Sequence, residues 1–89
     1  MSRLIPAAER IVRARALIQQ ARELPVPAGG RADFSYIATV KDLLRQARDL
    51  VKFIPKSPSA TDEMKEDVKR IFAESERTEH EVLHGPSGS

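Results

Sequence analysis

Two histidines and a glutamate near the end of the chain have a spacing that is typical of metal-dependent catalysis. The segment His80-Glu81-Val82-Leu83-His84 reads HExxH. On a helix this spacing places both imidazoles on one face, where they can hold zinc while the glutamate acts as base on zinc-bound water. A catalytic zinc site also needs a third protein ligand and a substrate cleft.

The rest of the sequence offers little support for such a zinc site. The 89-residue chain contains two His and no Cys, so a third strong ligand is missing. Two solvated histidines near a helix C-terminus, where positive charge is favourable, are a simpler interpretation. We therefore predict no metal site and no cofactor. His80 and His84 remain the candidate ligands, and a zinc hydrolase remains a remote alternative.

Other catalytic patterns also have simpler explanations. Four carboxylates stand together at the start of the last predicted helix: Asp62, Glu63, Glu66 and Asp67. They complement the positive end of a helix dipole and need no acid–base role. The pair Gly29-Gly30 follows Pro25 and Pro27 and breaks a helix, and it does not form a phosphate-binding loop. We predict that the protein is not an enzyme.

The elements that position these residues are three predicted helices, at about residues 6–24, 34–54 and 59–83. Pro25 and Pro27 end the first helix and Pro55 ends the second, while Asp33 or Ser35 caps the second. We expect an all-α antiparallel three-helix bundle, or alternatively a four-helix bundle that lacks one helix. The predicted domain covers residues 1–84, followed by a flexible tail at 85–89.

Apolar residues at helical spacing predict the core. The predicted stripes comprise Ala7, Ile11, Ala14, Ile18 and Ala21 in the first helix, Ile37, Val40, Leu44, Ala47, Val51 and Ile54 in the second, and Met64, Val68, Ile71, Phe72 and Ser75 in the third. Thr78 and Glu79 interrupt the third stripe before it resumes at Val82 and Leu83. We therefore expect the distal half of the third helix to be weakly anchored.

A row of cations follows the second predicted helix beside its apolar face. Lys41, Arg45, Arg48 and Lys52 have the spacing i, i+4, i+7, i+11. The row is either a solvated face or a surface for an acidic partner. We favour a groove that binds an acidic amphipathic helix, because charge would orient the partner while apolar contacts supply affinity. The predicted peptide-binding residues are Lys41, Arg48, Arg45, Lys52 and Leu44.

A nucleic-acid surface is the less favoured interpretation of the same row. The aromatic residues Tyr36 and Phe53 stand at the ends of the helix and are expected to be structural, so no base-stacking residue is available. Residues 57–89 contain four Lys/Arg and eight Asp/Glu, which would repel phosphate. We predict no nucleic-acid partner.

The segment Tyr36 to Arg48, YIATVKDLLRQAR, resembles the second helix of focal adhesion targeting domains and of the related domain in the cavernous-malformation adaptor. The shared features are a tyrosine, a Val-Lys-acidic triplet and an arginine seven residues after the lysine. The resemblance implies a four-helix adaptor domain in adhesion signalling that binds leucine-aspartate motif helices through Lys41 and Arg48. Only three helices are predicted here. A three-helix trafficking domain of the MIT class is the rival family, although its short first loop does not match residues 25–34.

These observations together predict a non-enzymatic interaction domain. The absence of cysteine fits a reducing compartment, and no apolar run is long enough to span a bilayer. We therefore expect a cytoplasmic adaptor or scaffold without a transmembrane segment, whose partner presents an acidic amphipathic helix. The alternative is an assembly module that forms a homodimer or completes its bundle with a partner helix.

Overall fold

The computed structural model describes residues 6–30 and 32–84. Within these ranges the chain forms three α-helices and no strand: α1 (Ala7–Glu23), α2 (Phe34–Val51) and α3 (Asp62–His84). A short 3₁₀ helix, Ile54–Lys56, connects α2 to α3. All three helices pack against one another, which confirms the predicted all-α three-helix bundle. The predicted tail at 85–89 lies outside the described residues.

Side-chain contacts between the helices show that they run up, down and up. Arg10, in the first turns of α1, donates to the carbonyl oxygen of Leu50 near the end of α2, over 3.4 Å. Two ion pairs join α1 and α3 in parallel order, Arg15 to Asp67 at 3.3 Å and Arg22 to Glu81 at 3.2 Å. Helix α2 is therefore antiparallel to both neighbours, as short connections in a bundle require.

The helix boundaries follow from local backbone chemistry. Asp33 caps α2, because its Oδ1 accepts a hydrogen bond of 3.1 Å from the backbone N–H of Tyr36. Thr61 caps α3 in the same way, with its Oγ1 accepting from the N–H of Met64 at 3.1 Å. Helix α2 ends at Val51, three residues before the predicted limit, since Pro55 lacks an N–H and disfavours α conformation in the residue before it.

The core is mostly aliphatic and, apart from Tyr36, is built from the predicted stripes. The buried apolar residues are Ile11, Ala14, Ile18, Ala21, Tyr36, Val40, Leu44, Ala47, Val51, Ile54, Val68 and Ile71. Three of these twelve side chains are alanines, which allow the helix backbones to approach closely. Burying such side chains is the main favourable term in folding, at about 25 cal/mol per Å² of apolar area.

The prediction that Thr78 interrupts the inner stripe of α3 is wrong. Thr78 is fully buried, as is Ser75 one turn earlier, so the inward face of α3 continues through both hydroxyl residues. Val82 and Leu83 then pack against the core beyond them. The distal half of α3 is also tied to α1 through the Arg22–Glu81 ion pair. Helix α3 therefore packs against the bundle over most of its length.

Candidate functional site

A groove runs between α2 and α3 on the side of the bundle that carries the basic row. We call it the α2–α3 groove. Its α2 wall consists of Ile37, Ala38, Lys41, Asp42, Arg45 and Arg48, and its α3 wall consists of Glu76, Glu79, His80, Leu83 and His84, with Ala32 at one end. The groove combines half-buried apolar side chains, Ile37 and Leu83, with charges on both walls. This composition suits a partially apolar ligand with charged edges.

Of the three cations that line the α2–α3 groove, Lys41 is the most available for a ligand. Its side chain is exposed, and it makes no hydrogen bond or ion pair with any of the described residues. It lines two adjoining hollows of the α2–α3 groove together with Glu79. A lysine without an internal partner can meet an acidic group without first breaking another contact.

Arg45 lines the same groove but already has an internal partner. Its Nη2 donates to Oδ1 of Asp42 over 2.8 Å, and the side-chain amide of Gln46 donates to Oδ2 of Asp42 over 2.7 Å. The hydrogen bond from Arg45, followed by the one from Gln46, lowers the pKa of the Asp42 carboxyl below its ordinary value. Arg45 would therefore have to share its charge between Asp42 and a ligand.

Arg48 is half-buried and holds the two helices together. Its Nη1 donates to Oγ of Ser75 over 3.2 Å, and that hydroxyl in turn donates to the carbonyl oxygen of Phe72 over 2.9 Å. By their spacing in the sequence, Arg48 and Lys41 are equivalent members of one row. The structure distinguishes them, because only Arg48 lies beside a buried hydroxyl of α3.

The remaining predicted peptide-binding residues lie elsewhere. Lys52 does not line the α2–α3 groove; it pairs with Asp49 at 3.2 Å, and its Nζ lies 5.1 Å from the centre of the Phe53 ring. Leu44 has no exposed surface and belongs to the core, so it cannot contact a ligand directly. The structure thus brings together Lys41, Arg45 and Arg48, and it separates Lys52 and Leu44 from them.

Two carboxylates on the α3 wall face this cationic cluster. Glu79 lines every hollow of the groove, and Glu76 lines the hollow next to Arg48. Neither forms a hydrogen bond or an ion pair with the described residues. The groove therefore has a basic wall on α2 and a predominantly acidic wall on α3, and a ligand has to match both.

Exposed aromatic side chains lie at the two ends of α2. Tyr36 is buried, as predicted, but the prediction that Phe53 is structural is wrong, because 61% of Phe53 is exposed. Phe34, the first residue of α2, is 88% exposed. By the helical repeat of 3.6 residues, Phe34 lies two turns before Lys41 on the same side of α2. Sequence reasoning missed Phe34, although its position seven residues before Lys41 is a usable signal.

A second groove lies between α1 and α2 on another side of the bundle. We call it the α1–α2 groove, and its volume is about 590 Å³. Its lining residues are Arg10, Arg13, Ala16, Leu17, Gln20, Gln46, Asp49 and Leu50. Arg13 is paired with Glu9 at 2.6 Å. Sequence reasoning did not identify this groove. The available signal was the surplus of apolar residues, Leu17 on α1 and Leu50 on α2, beside the main stripes.

The HExxH segment lies on the last turns of α3. The ring centres of His80 and His84 are 5.0 Å apart, and both side chains are exposed. Glu81 lies on another side of the helix, where its Oε1 accepts a hydrogen bond of 3.2 Å from Arg22 of α1. Across residues 6–30 and 32–84, no group of three or more His, Cys, Asp or Glu side chains is placed to hold a metal ion.

Comparison with known proteins gives no further assignment. No protein-family model, curated protein or solved structure matches this chain. The resemblance of residues 36–48 to focal adhesion targeting domains therefore stays a prediction. Among the described helices, none combines the length and the apolar character that crossing a membrane requires.

Proposed function

We propose that this protein is a non-enzymatic adaptor domain that binds a short acidic amphipathic helix in the α2–α3 groove. The observation that carries the proposal is the state of Lys41, which is exposed, unpaired among the described residues and adjacent to the half-buried apolar side chains Ile37 and Leu83. Apolar contacts along the groove would supply most of the affinity. Charge contacts at Lys41 and Arg45 would set the orientation and the association rate.

The charges on the two walls of the groove favour a partner helix with charged residues along both edges, rather than one with only an acidic edge. A helix in this groove presents one edge to α2 and the other to α3. Acidic side chains on the first edge would meet Lys41 and Arg45. Basic side chains on the second edge would meet Glu76 and Glu79, which have no other partner among the described residues. The preferred ligand is therefore an amphipathic helix with an acidic edge and a basic edge.

The length of the groove sets the size of the ligand. From Ile37 to Arg48, the first and last residues of α2 that line the groove, the helix rises about 17 Å, at 1.5 Å per residue. A helical ligand of about eleven residues covers this distance. A leucine-aspartate peptide of about eighteen residues, with basic residues along the edge that faces α3, is thus a suitable probe, since it can fill the groove and retain solvated ends.

A titration of the labelled peptide followed by fluorescence anisotropy tests the proposal. We expect Lys41→Glu to weaken binding at least about tenfold, because it replaces attraction to the acidic edge with repulsion. Arg77→Glu is the matched control. Arg77 is also exposed and unpaired among the described residues, but it lines a hollow between α1 and α3. Equal affinities of both variants and the unsubstituted protein would contradict the proposal.

Self-association is the second candidate function, and the α1–α2 groove is the observation that favours it. Leu17 and Leu50 are half-buried there and leave apolar surface beside charged rims. A second copy of the chain docking at this groove would cover both. Sedimentation equilibrium at two protein concentrations separates the candidates. A monomer at both concentrations excludes the assembly module, whereas a dimer that Leu50→Glu dissociates supports it.

A further inference from the structure

The side chains of His80 and His84 lie close enough together to bind a single metal ion. The residues are four apart on α3, so they lie one above the other on the helix surface. Their ring centres are 5.0 Å apart, and the ring planes are inclined at 44°. Both side chains line one hollow of the α2–α3 groove with Glu76 and Glu79.

The ring separation agrees with what chelation requires. Consider a metal bound to two imidazole nitrogens at about 2.1 Å, with the two metal–nitrogen bonds at a tetrahedral angle or a right angle. The ring centres are then about 4.5 to 5.3 Å apart. The observed 5.0 Å falls in this range. Binding would therefore require only ring rotations, without displacement of the helix.

The donors determine the class of metal. Imidazole nitrogen suits zinc, nickel and copper, whereas magnesium and calcium prefer sets of oxygen ligands. Glu76 and Glu79 in the same hollow offset the positive charge of Arg48, which also lines it. Because no third ligand is in place among residues 6–30 and 32–84, the remaining coordination positions are open to water or to a donor from another molecule.

We propose that His80 and His84 form a two-histidine chelating site for a divalent transition metal, with copper bound more tightly than nickel or zinc. This site differs from that of a zinc hydrolase. The glutamate of the HExxH segment, Glu81, is paired with Arg22 and lies away from the two rings. The site thus binds metal without positioning a base, and it does not depend on the proposed peptide-binding function.

Isothermal titration of the chelator-treated, tag-free chain with nickel chloride at pH 7.5 tests the site. We expect one ion per chain, and a loss of affinity of at least about tenfold in both His80→Gln and His84→Gln, since a single imidazole cannot chelate. Glu81→Gln is the matched control and should leave the affinity unchanged. Magnesium chloride should give no binding heat.

Amide hydrogen exchange provides a second readout that reports on the helix itself. Ligands one turn apart clamp the end of α3, so saturating nickel should slow exchange at residues 80–84 and leave α1 unaffected. The proposal is overturned if nickel shows no saturable binding at millimolar concentration. It is equally overturned if the His80→Gln and His84→Gln variants bind nickel as tightly as the unsubstituted chain.

Discussion

The guanidinium of Arg48 on α2 donates a hydrogen bond of 3.2 Å to the hydroxyl of Ser75, a residue of α3 that has no exposed surface. The same hydroxyl donates to the carbonyl oxygen of Phe72. A charged side chain that satisfies a buried hydroxyl stabilises the contact between two helices. The basic row of α2 therefore includes one residue, Arg48, with a structural role.

We expect Arg48→Met to lower the free energy of unfolding by about 1 kcal/mol, because it keeps the aliphatic stem and removes one hydrogen bond to a buried group. Urea denaturation measures the change, with an unchanged slope showing that the unfolded state is the same. Arg77→Met, at an exposed site without a partner among the described residues, should leave the midpoint nearly unchanged. Equal midpoints for the two variants would show that the Arg48–Ser75 contact contributes nothing.

For Thr78 we expect the opposite effect: removing its hydroxyl should stabilise the protein, whereas removing the guanidinium of Arg48 should destabilise it. Thr78 is fully buried, and its Oγ1 has no hydrogen-bond partner among the described residues. Thr78→Val preserves the branched shape and removes a desolvated polar group, so we expect it to raise the free energy of unfolding by about 1 kcal/mol. Thr39→Val is the control, since the Thr39 hydroxyl is exposed and bonded to the carbonyl oxygen of Ser35. A destabilised Thr78→Val variant would mean that the hydroxyl has a partner, such as a bound water.

The pKa of Asp42 tests whether Asp42 is paired with Arg45 on the α2 wall of the groove. Its pKa is lowered first by the hydrogen bond from Arg45 and next by that from Gln46. We expect Arg45→Met to raise the pKa of Asp42 towards its ordinary value. Carbon-detected NMR of the carboxyl group measures this shift. Because the folded-state pKa is depressed, the pair contributes to stability above the ordinary aspartate range, and that contribution is lost as the pH falls through the folded-state value. An unshifted titration in Arg45→Met would rule out the pairing.

Much of the fold could be predicted from the sequence, because helix periodicity and residue type act locally. In α1 the four buried residues Ile11, Ala14, Ile18 and Ala21 all belong to the predicted stripe. The capping role of Asp33 was one of two alternatives that local chemistry allowed, and the structure selects it over Ser35. Proline and glycine positions fixed the helix ends to within a few residues.

The candidate site could be predicted only in part, because its properties depend on which residues of a neighbouring helix come alongside. Lys41 and Arg48 are equivalent by spacing, yet only Arg48 meets Ser75. Thr78 was expected to interrupt the inner stripe because it is polar, whereas the packing of α3 buries it. The exposure of Phe53 likewise depends on the turn that follows Val51, which no periodicity describes.

Phe34 allows a final test of the α2–α3 groove. An aromatic ring that is 88% exposed contributes little to folding and is accessible to a ligand. Since Phe34 precedes Lys41 by two turns on the same side of α2, a helical ligand bound to Lys41 and Arg45 would extend to this ring. We expect Phe34→Ser to weaken binding of the leucine-aspartate peptide at least about fivefold and to leave the melting temperature unchanged.

Phe53→Ser is the matched control for this prediction. Phe53 is also largely exposed and lies near the other end of α2, where Lys52 and Lys56 flank its ring at 5.1 and 6.0 Å. Phe53 lies in the turn after α2 and lines none of the hollows of the α2–α3 groove, so its removal should not change peptide affinity. If Phe53→Ser weakens binding and Phe34→Ser does not, the ligand does not lie in the α2–α3 groove.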